Sequence, residues 1–271
     1  MRHALSYAER VSTQPLAAPR TLKLVGTEVA RIGLGTNRLT STPENQAFLR
    51  EAIEAGLRHI DTAHVYSSGD SERAIGEALS PNPEGLVIAT KGGYTGSGSR
   101  GAVRAQIEQS LESLRTEAID LYYLHRVDPG RPIEESLGAI AEYREAGRIK
   151  EVGISAVDVN QIEASRRVVP IAAVQNHYNV ADRASDDVVD YCEEHGIVFV
   201  PYYPLKGEAP PALAAIAASR DATPRQIALA WLLRRSPVIL PIPGTLSIEH
   251  LRENLGALEI DLTDDEFEAL G

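Results

Sequence analysis

The chain has 271 residues, of which 43% are hydrophobic and 24% are charged, and this is the composition of an ordinary globular protein. Its net charge of −11 argues against a nucleic-acid-binding protein, which needs a basic surface. No apolar run approaches the roughly 18 residues needed to span a bilayer. Cys192 is the only cysteine, so no internal disulfide can form, and a reducing, cytoplasmic location is expected.

The N-terminal region is expected to lie outside the main domain. Residues 1–20 contain Pro15, Pro19 and scattered polar side chains without the apolar core of a signal peptide, which predicts a flexible arm. Residues 21–32 predict a β-hairpin with its turn at Gly26-Thr27. The remaining length suits a single domain over residues 21–271.

From Arg31 onwards, short apolar segments alternate with amphipathic segments. Strands are predicted at residues 31–35, 57–60, 86–90, 119–124, 150–154, 171–175, 197–202 and 238–242. Helices are predicted at residues 43–55, 71–79, 102–114, 132–146, 157–167, 186–194, 213–219, 223–234, 248–255 and 263–270. Helix N-caps are expected at Ser41 or Thr42, at Asp70, and at Thr223 and Thr263. The glycine-rich residues 92–101 are expected to be irregular.

This alternation favours a closed barrel. Strands joined by single helices must run parallel, and eight such units predict an α/β fold of the (β/α)8 or TIM-barrel type, with an N-terminal hairpin and extra C-terminal helices. An open doubly wound sheet would need a glycine-rich phosphate turn, and Gly33-Leu34-Gly35-Thr36-Asn37 lacks its third glycine. In a barrel, functional side chains lie at the C-terminal ends of the strands.

Three predicted strands end at or near ionisable side chains, namely Asp61, Lys91 and His125, and Tyr66 follows five residues after Asp61. Taken singly, each of these residues is more often a turn, cap or surface residue than a catalytic one. Parallel strands would bring them to one rim, where Tyr66 could donate a proton to a carbonyl oxygen. Lys91 would favour the phenolate, Asp61 would hold Lys91, and His125 would orient the carbonyl. None of the four supplies a hydride, so a cofactor is required.

The motifs around these residues resemble those of the aldo-keto reductases. They are the Asp-Thr-Ala-x-x-Tyr element at Asp61, the Ala-Thr-Lys strand at Lys91 and the Leu-His-Arg strand at His125, and the similarity runs from about Leu22 to the C-terminus. The resemblance implies the (β/α)8 fold, a nicotinamide cofactor and a catalytic tetrad of Asp61, Tyr66, Lys91 and His125.

The resemblance also implies a cofactor site. Gln175 would bind the nicotinamide carboxamide together with Ser155, and Tyr202 would stack on the nicotinamide ring. The other implied cofactor residues are Pro204, Leu205, Lys206, Gly244, Thr245, Ser247, His250, Glu253 and Asn254. NADPH is expected, with NADH possible, because Gly244 and His250 replace the lysine and arginine that hold the 2′-phosphate in many members.

The loops after the strands are expected to form a substrate pocket that includes Asn37, Tyr94 and Arg126. The leading interpretation is a reductase of aldehydes or ketones. A second is an NAD-dependent sugar or pyridoxal dehydrogenase, because residues 66–72 are similar to that type. A third is a non-catalytic cofactor-binding sensor or accessory subunit. The expected partner is a small carbonyl compound, with no metal, nucleic acid or membrane, and the chain is expected to be a monomer or weak oligomer.

Overall fold

A parallel sheet curls into a barrel with helices around it. The computed structural model describes residues 18–208 and 210–271. In this part of the chain, an antiparallel hairpin precedes a seven-stranded parallel sheet whose strands follow one another in chain order. The strands are β1 Thr21–Leu24, β2 Thr27–Ala30, β3 Leu34–Gly35, β4 His59–Asp61, β5 Val87–Gly92, β6 Ile119–Leu124, β7 Ile149–Ser155, β8 Ala173–Gln175 and β9 Val198–Phe199.

The helices cover the outside of the sheet. They are α1 Pro43–Glu54, α2 Asp70–Leu79, α3 Arg100–Ser113, α4 Ile133–Glu145, α5 Val159–Arg166, α6 Asp186–His195, α7 Pro211–Ser219, α8 Pro224–Arg235, α9 Ile248–Gly256 and α10 Asp264–Ala269. Each of α1 to α6 connects two consecutive parallel strands, as the alternation predicted. Among the described residues, none of the helices combines the length and apolar character needed to cross a lipid bilayer.

The core has two layers. All residues of β5 and β6 are buried, because one side of each strand faces the barrel interior and the other faces the helices. Inside the barrel, Val87, Ala89 and Leu121 form a cluster with Leu24 and Val29 of the hairpin. The predicted hairpin therefore packs against the interior of the barrel.

The predicted strand at residues 238–242 is wrong as a regular strand, although this segment closes the barrel. Val238 accepts a hydrogen bond from the Phe199 N–H at 2.9 Å on one side. On the other side, Pro241 accepts from the Gly33 N–H at 2.9 Å. Pro241 and Pro243 have no N–H groups, so the segment cannot form a complete ladder. The eighth position of the barrel is occupied by isolated bridges instead, including a hydrogen bond from the Leu240 N–H to the Phe199 carbonyl at 2.9 Å.

Arg31 connects the start of the barrel to the segment that closes it. Its side chain is fully buried and donates to the carbonyls of Ile239 at 3.0 Å, Leu233 at 2.9 Å and Pro19 at 2.8 Å. Burial lowers the pKa of the guanidinium to about 10, which leaves it charged at neutral pH. The sequence placed Arg31 at the start of a strand and gave no sign of this role.

Several local predictions need correction. Helix α2 begins at Asp70 itself, after Gly69 at φ 89°, so Asp70 is not its N-cap. Strand β5 includes Gly92, and α3 begins at Arg100, which shortens the predicted irregular segment. Thr42, Thr223 and Thr263 are N-caps as predicted.

The predicted flexible arm lies almost entirely outside the described residues, which begin at 18. Where the chain is described, Arg20 is held against the barrel: its carbonyl accepts a hydrogen bond from the Arg31 N–H at 3.0 Å. The Arg20 guanidinium also lies 2.7 Å from Glu259. The end of the predicted arm is thus anchored, and the division into arm and domain stays a prediction.

Candidate active site

The four predicted catalytic residues lie together at the C-terminal rim of the barrel. Asp61 is the last residue of β4, Lys91 lies near the end of β5, and His125 directly follows β6. The pairing of Asp61 with Ala89 and of Lys91 with Tyr123 aligns these strand ends. Parallel strands in register therefore deliver the side chains to one place, as the sequence predicted.

A buried ion pair forms the floor of the site. Lys91 Nζ donates a hydrogen bond to Asp61 Oδ1 and another to the Thr62 carbonyl at 2.7 Å. Asp61 Oδ2 accepts a hydrogen bond from Gln175 Nε2 at 2.8 Å. Lys91 is 0% exposed and Asp61 is 1% exposed, so both charges depend on these partners rather than on water.

The Lys91 ammonium lies beneath Tyr66, with Nζ 5.1 Å from the ring centroid. Burial lowers the pKa of Lys91, but Asp61 and Tyr66 offset this effect, and the pKa ends above its ordinary value. Lys91 is therefore charged at neutral pH.

Burial raises the pKa of Tyr66 above its ordinary value, while Lys91 opposes that rise. Lys91 favours the phenolate as expected, but desolvation of the buried phenol outweighs this effect. In the structure, the phenol is kept protonated, as a proton donor must be.

An unusual turn holds Tyr66 in place. The Tyr66 N–H donates to the Ala63 carbonyl at 3.0 Å, and Tyr66 begins a short 3-10 turn. Ser67 and Ser68 follow with φ of 48° and 56°, in the left-handed region that disfavours side chains other than glycine. These two residues and Gly69 turn the chain sharply into α2.

His125 faces the same cavity as a neutral imidazole. Burial, Lys91 and the neighbouring Arg126 lower the pKa of His125 to about 3. Its Nδ1 is buried with no hydrogen-bond partner in the described structure, so Nε2 is the nitrogen available to the cavity. The His125 ring lies 5.8 Å from the Tyr66 ring and 4.9 Å from the Tyr94 ring, edge-on in both cases.

A cavity of about 480 Å³ opens above these residues. The three predicted substrate-pocket residues, Asn37, Tyr94 and Arg126, all line it. Val65 and Tyr203 also line the cavity, and the sequence analysis missed them as pocket residues. Tyr203 has a φ of 53° and turns the chain at the cavity edge.

Five of the predicted cofactor residues line the same cavity: Ser155, Gln175, Tyr202, Pro204 and Gly244. The Tyr202 ring stacks on His177 with 5.6 Å between centroids, a contact that the sequence did not indicate. Gln175 uses its amide N–H to hold Asp61, so it belongs to the catalytic group as well as to the predicted cofactor site.

The other predicted cofactor residues do not line this cavity. Leu205 and Lys206 follow Pro204, and Lys206 is exposed, with its Nζ 4.6 Å from the centre of the Tyr203 ring. Thr245 Oγ1 accepts from the Ser247 N–H at 3.0 Å. Ser247 caps α9 by accepting from the His250 N–H at 3.2 Å.

The buried polar groups of α9 fit the adenine end of a dinucleotide. Asn254 is 1% exposed, and its Oδ1 has no hydrogen-bond partner among the described residues. A buried amide oxygen without a donor is unfavourable, and an exocyclic amine would supply one. Glu253 accepts from Thr223 Oγ1 at 2.6 Å, which fixes its carboxylate. The residues present therefore fit a nicotinamide dinucleotide at both ends.

Residues 31–271 match the model of the Aldo/keto reductase family. The chain belongs to the aldo/keto reductase family. It is therefore an oxidoreductase, and the resemblance inferred from the motifs is confirmed.

Individual relatives support the assignment. An oxidoreductase of Schizosaccharomyces pombe is 38% identical, with 92% of this chain and 88% of the relative covered. Pyridoxine 4-dehydrogenase of Escherichia coli is 38% identical, with coverage of 80% and 82%. An aldo/keto reductase from Klebsiella pneumoniae, solved with NADP and acetate, is 29% identical with a TM-score of 0.82 and coverage of 93% and 94%. This structural similarity confirms the (β/α)8 barrel fold despite the irregular eighth segment.

Proposed function

We propose that this protein reduces the carbonyl group of an aldehyde or ketone to an alcohol with NADPH, and that Tyr66 is the general acid. The observation that carries the proposal is the position of the Tyr66 phenol on the cavity wall, next to the buried pair of Lys91 and Asp61. A protonated phenol beside a fixed ammonium can give up its proton only when a strong base forms next to it, as happens at a carbonyl oxygen during reduction.

Each residue has a distinct task in this mechanism. Tyr66 and His125 Nε2 bind the carbonyl oxygen between them, and Tyr66 transfers its proton to the developing alkoxide. Lys91 stabilises the resulting phenolate, and Asp61 keeps Lys91 charged and oriented. Because His125 has a pKa of about 3, it acts as a neutral hydrogen-bond donor and does not exchange a proton near neutral pH.

NADPH is the proposed cofactor, and the residues described here would hold its nicotinamide and adenine groups. When bound, it supplies the hydride that the carbonyl carbon receives. Tyr202 provides a ring on which a nicotinamide can stack, Ser155 and Gln175 line the adjacent cavity wall, and Asn254 presents an unpaired oxygen to an adenine amine. The NADP bound to the Klebsiella pneumoniae relative supports the assignment.

A second candidate function is the oxidation of an alcohol by the same residues. The 38% identity to pyridoxine 4-dehydrogenase favours it, and it would require Tyr66 to accept a proton instead of donating one. The catalytic groups are the same in both directions, so the substrate and the cofactor ratio decide which direction operates.

A panel of aldehydes, ketones and alcohols tests both candidates, with NADPH, NADH and their oxidised forms run side by side. We expect turnover of carbonyl compounds with NADPH. Faster turnover of pyridoxine with NAD or NADP than of any carbonyl compound would favour the second candidate. Tight binding of NADPH without turnover of any substrate would contradict both and favour a cofactor-binding sensor or accessory subunit.

A further inference from the structure

The cavity wall carries one positive charge that the proposed mechanism does not use. Arg126 follows His125 directly and lines the cavity. Among the described residues, no carboxylate lies within 4.0 Å of its guanidinium, and its one hydrogen bond runs from its backbone N–H to the Gly93 carbonyl at 3.2 Å. An unpaired guanidinium in a concave site is a strong hydrogen-bond donor without an acceptor.

The charge of Arg126 is not cancelled by other groups in the cavity. Asp61 is the only carboxylate among the residues that line the cavity, and both of its oxygens are engaged, by Lys91 and by Gln175. Arg126 also contributes to the low pKa of His125, which shows that its field reaches the catalytic group. The open side of the cavity is therefore locally positive, although the chain as a whole has a net charge of −11.

Aromatic side chains surround Arg126. The guanidinium carbon lies 5.7 Å from the centre of the Tyr202 ring. Tyr94 and Tyr203, which are 42% and 48% exposed, line the same cavity. Such walls favour flat, partly apolar molecules, while the guanidinium favours a planar anion in a two-pronged hydrogen bond.

We propose that Arg126 is a specificity-determining residue that binds an anionic group, a carboxylate or a phosphate, on the carbonyl substrate. This proposal rests on the carbonyl reduction proposed above. His125 and Arg126 line the same cavity, so a substrate whose carbonyl oxygen contacts His125 can extend its anionic end to Arg126. The preferred substrates are then aldehydes or ketones that carry a negative charge a short distance from the reacting carbon.

Matched pairs of substrates test the proposal. The first pairs are 3- and 4-carboxybenzaldehyde with their methyl esters, which share the aldehyde and ring but lack the charge. Pyridoxal 5′-phosphate with pyridoxal tests a phosphate in the same way. The values of kcat/KM are compared in the wild type, Arg126→Gln and Arg126→Lys. Arg131→Gln is the control, because it removes the same charge from the same loop but Arg131 does not line the cavity and pairs with Glu135 at 2.8 Å.

We expect the wild type to prefer at least one charged member over its neutral partner. Arg126→Gln should reduce that preference by about 10- to 100-fold, the range of a charge-assisted hydrogen bond, because kcat/KM for the charged partner falls more than kcat/KM for the neutral one. Arg126→Lys should restore part of the preference, and Arg131→Gln should leave it unchanged. The substrate pair whose charge preference falls in Arg126→Gln identifies the anion as a carboxylate or a phosphate.

Three results would overturn the proposal. The first is a wild type that does not prefer any charged substrate, and the second is a preference that Arg126→Gln leaves intact. The third is an equal loss for charged and neutral substrates with a raised KM for NADPH, which would assign Arg126 to the cofactor. Calorimetric titration of the NADPH-loaded protein with 4-(hydroxymethyl)benzoate and with its methyl ester measures binding without turnover. Failure of the proposed reaction is thereby distinguished from failure of anion binding.

Discussion

Lys91 and Asp61 stabilise each other, because either charge buried without its partner would be energetically unfavourable. Both side chains are almost completely buried, and the lysine also donates to the Thr62 carbonyl while the carboxylate accepts from Gln175. Removing one partner of such a pair usually costs about 3–5 kcal/mol of stability, because the other charge stays buried. Function and stability are therefore linked at this site.

We predict that Lys91→Met abolishes turnover near pH 7, because burial would then raise the pKa of Tyr66 without opposition. Asp61→Asn should reduce kcat less, since the lysine stays beside Tyr66 and keeps its hydrogen bond to the Thr62 carbonyl, although burial then lowers its pKa. The activation free energy should rise less in the double variant than the sum of the rises in the two single variants, as expected for residues that act together. Steady-state kinetics measure the cycle, and thermal unfolding confirms that each variant is folded. Simple additivity would show that the two residues act independently.

Acidic and basic side chains lie close together at the start of α9, within the predicted cofactor site. Ser247 Oγ donates to Glu249 Oε2 at 2.6 Å while it caps α9, so its hydroxyl proton is already used. Ser247 is one of the cofactor residues that the resemblance implied, but its hydroxyl proton is not free for a phosphate. The Arg252 guanidinium lies 3.0 Å from Glu51 and is also engaged. His250 is then the remaining basic side chain in the first turn of α9, and the Glu249 carboxylate would repel an anion there.

We predict a modest preference for NADPH over NADH that depends on these two side chains. His250→Ala should lower the ratio of the two kcat/KM values, and Glu249→Gln should raise it by removing repulsion of the 2′-phosphate. A large ratio that neither substitution changes would exclude this assignment, and a ratio below one would overturn the choice of NADPH.

At the scale of elements, α2 packs unusually close to the C-terminal end of α3. A Cβ atom at Gly76 would lie only 2.2 Å from the Ser113 carbonyl oxygen, so only glycine allows this approach. One turn earlier, Glu72 is therefore completely buried. Its Oε1 accepts from Thr90 Oγ1 at 2.5 Å, its Oε2 has no hydrogen-bond partner in the described structure, and His64 Nδ1 is 3.9 Å away. Thr90 is the residue next to Lys91, so this contact also fixes β5.

Burial raises the pKa of Glu72 above its ordinary value. Glu72 then ionises at a lower pH in the unfolded chain than in the folded protein. Its contribution to the free energy of unfolding is therefore highest below the unfolded pKa and falls as the pH rises toward the folded pKa. Glu72→Gln keeps an acceptor for Thr90 and removes the charge. We predict that it raises the free energy of unfolding at pH 8 relative to the wild type, and that this gain shrinks toward pH 4.

Urea unfolding at both pH values measures this gain. The control is Glu84→Gln, which neutralises an exposed carboxylate and should have little effect. If Glu72→Gln destabilised the protein more at pH 8 than at pH 4, the charged form would be the stabilising one. The account of a costly buried carboxylate would then be wrong.

For the molecule as a whole, the fold could be predicted where the chain follows simple periodicity. The apolar strands and capped helices gave the order of elements, because β5 and β6 are buried on both faces and Thr223 and Thr263 are ordinary caps. The segment at residues 238–242 could not be predicted correctly, because its apolar composition indicates a strand while its prolines prevent a ladder. Which strands close the barrel depends on contacts such as Arg31 with Ile239, 208 residues apart.

The candidate site, like the fold, could be predicted from the sequence only in part. Asp61, Lys91 and His125 could be placed at one rim because each stands at a strand end, and parallel register aligns those ends. The contacts between distant segments could not be read from the sequence, because they depend on how the closed barrel packs. Gln175 holds Asp61 across 114 residues, and the net pKa of Tyr66 depends on burial that no local pattern reveals.

The central claim is that Tyr66 gives its proton to a carbonyl oxygen at this rim. The most direct test is the rate of NADPH oxidation in a single turnover by wild type and Tyr66→Phe, with NADPH bound beforehand and a carbonyl substrate at saturation. The variant keeps the aromatic ring and loses only the hydroxyl. We predict that the rate falls by at least about 100-fold, the usual scale of general acid catalysis, while the Kd for NADPH is unchanged. A rate close to that of the wild type, with an isotope effect showing that hydride transfer limits it, would contradict the account.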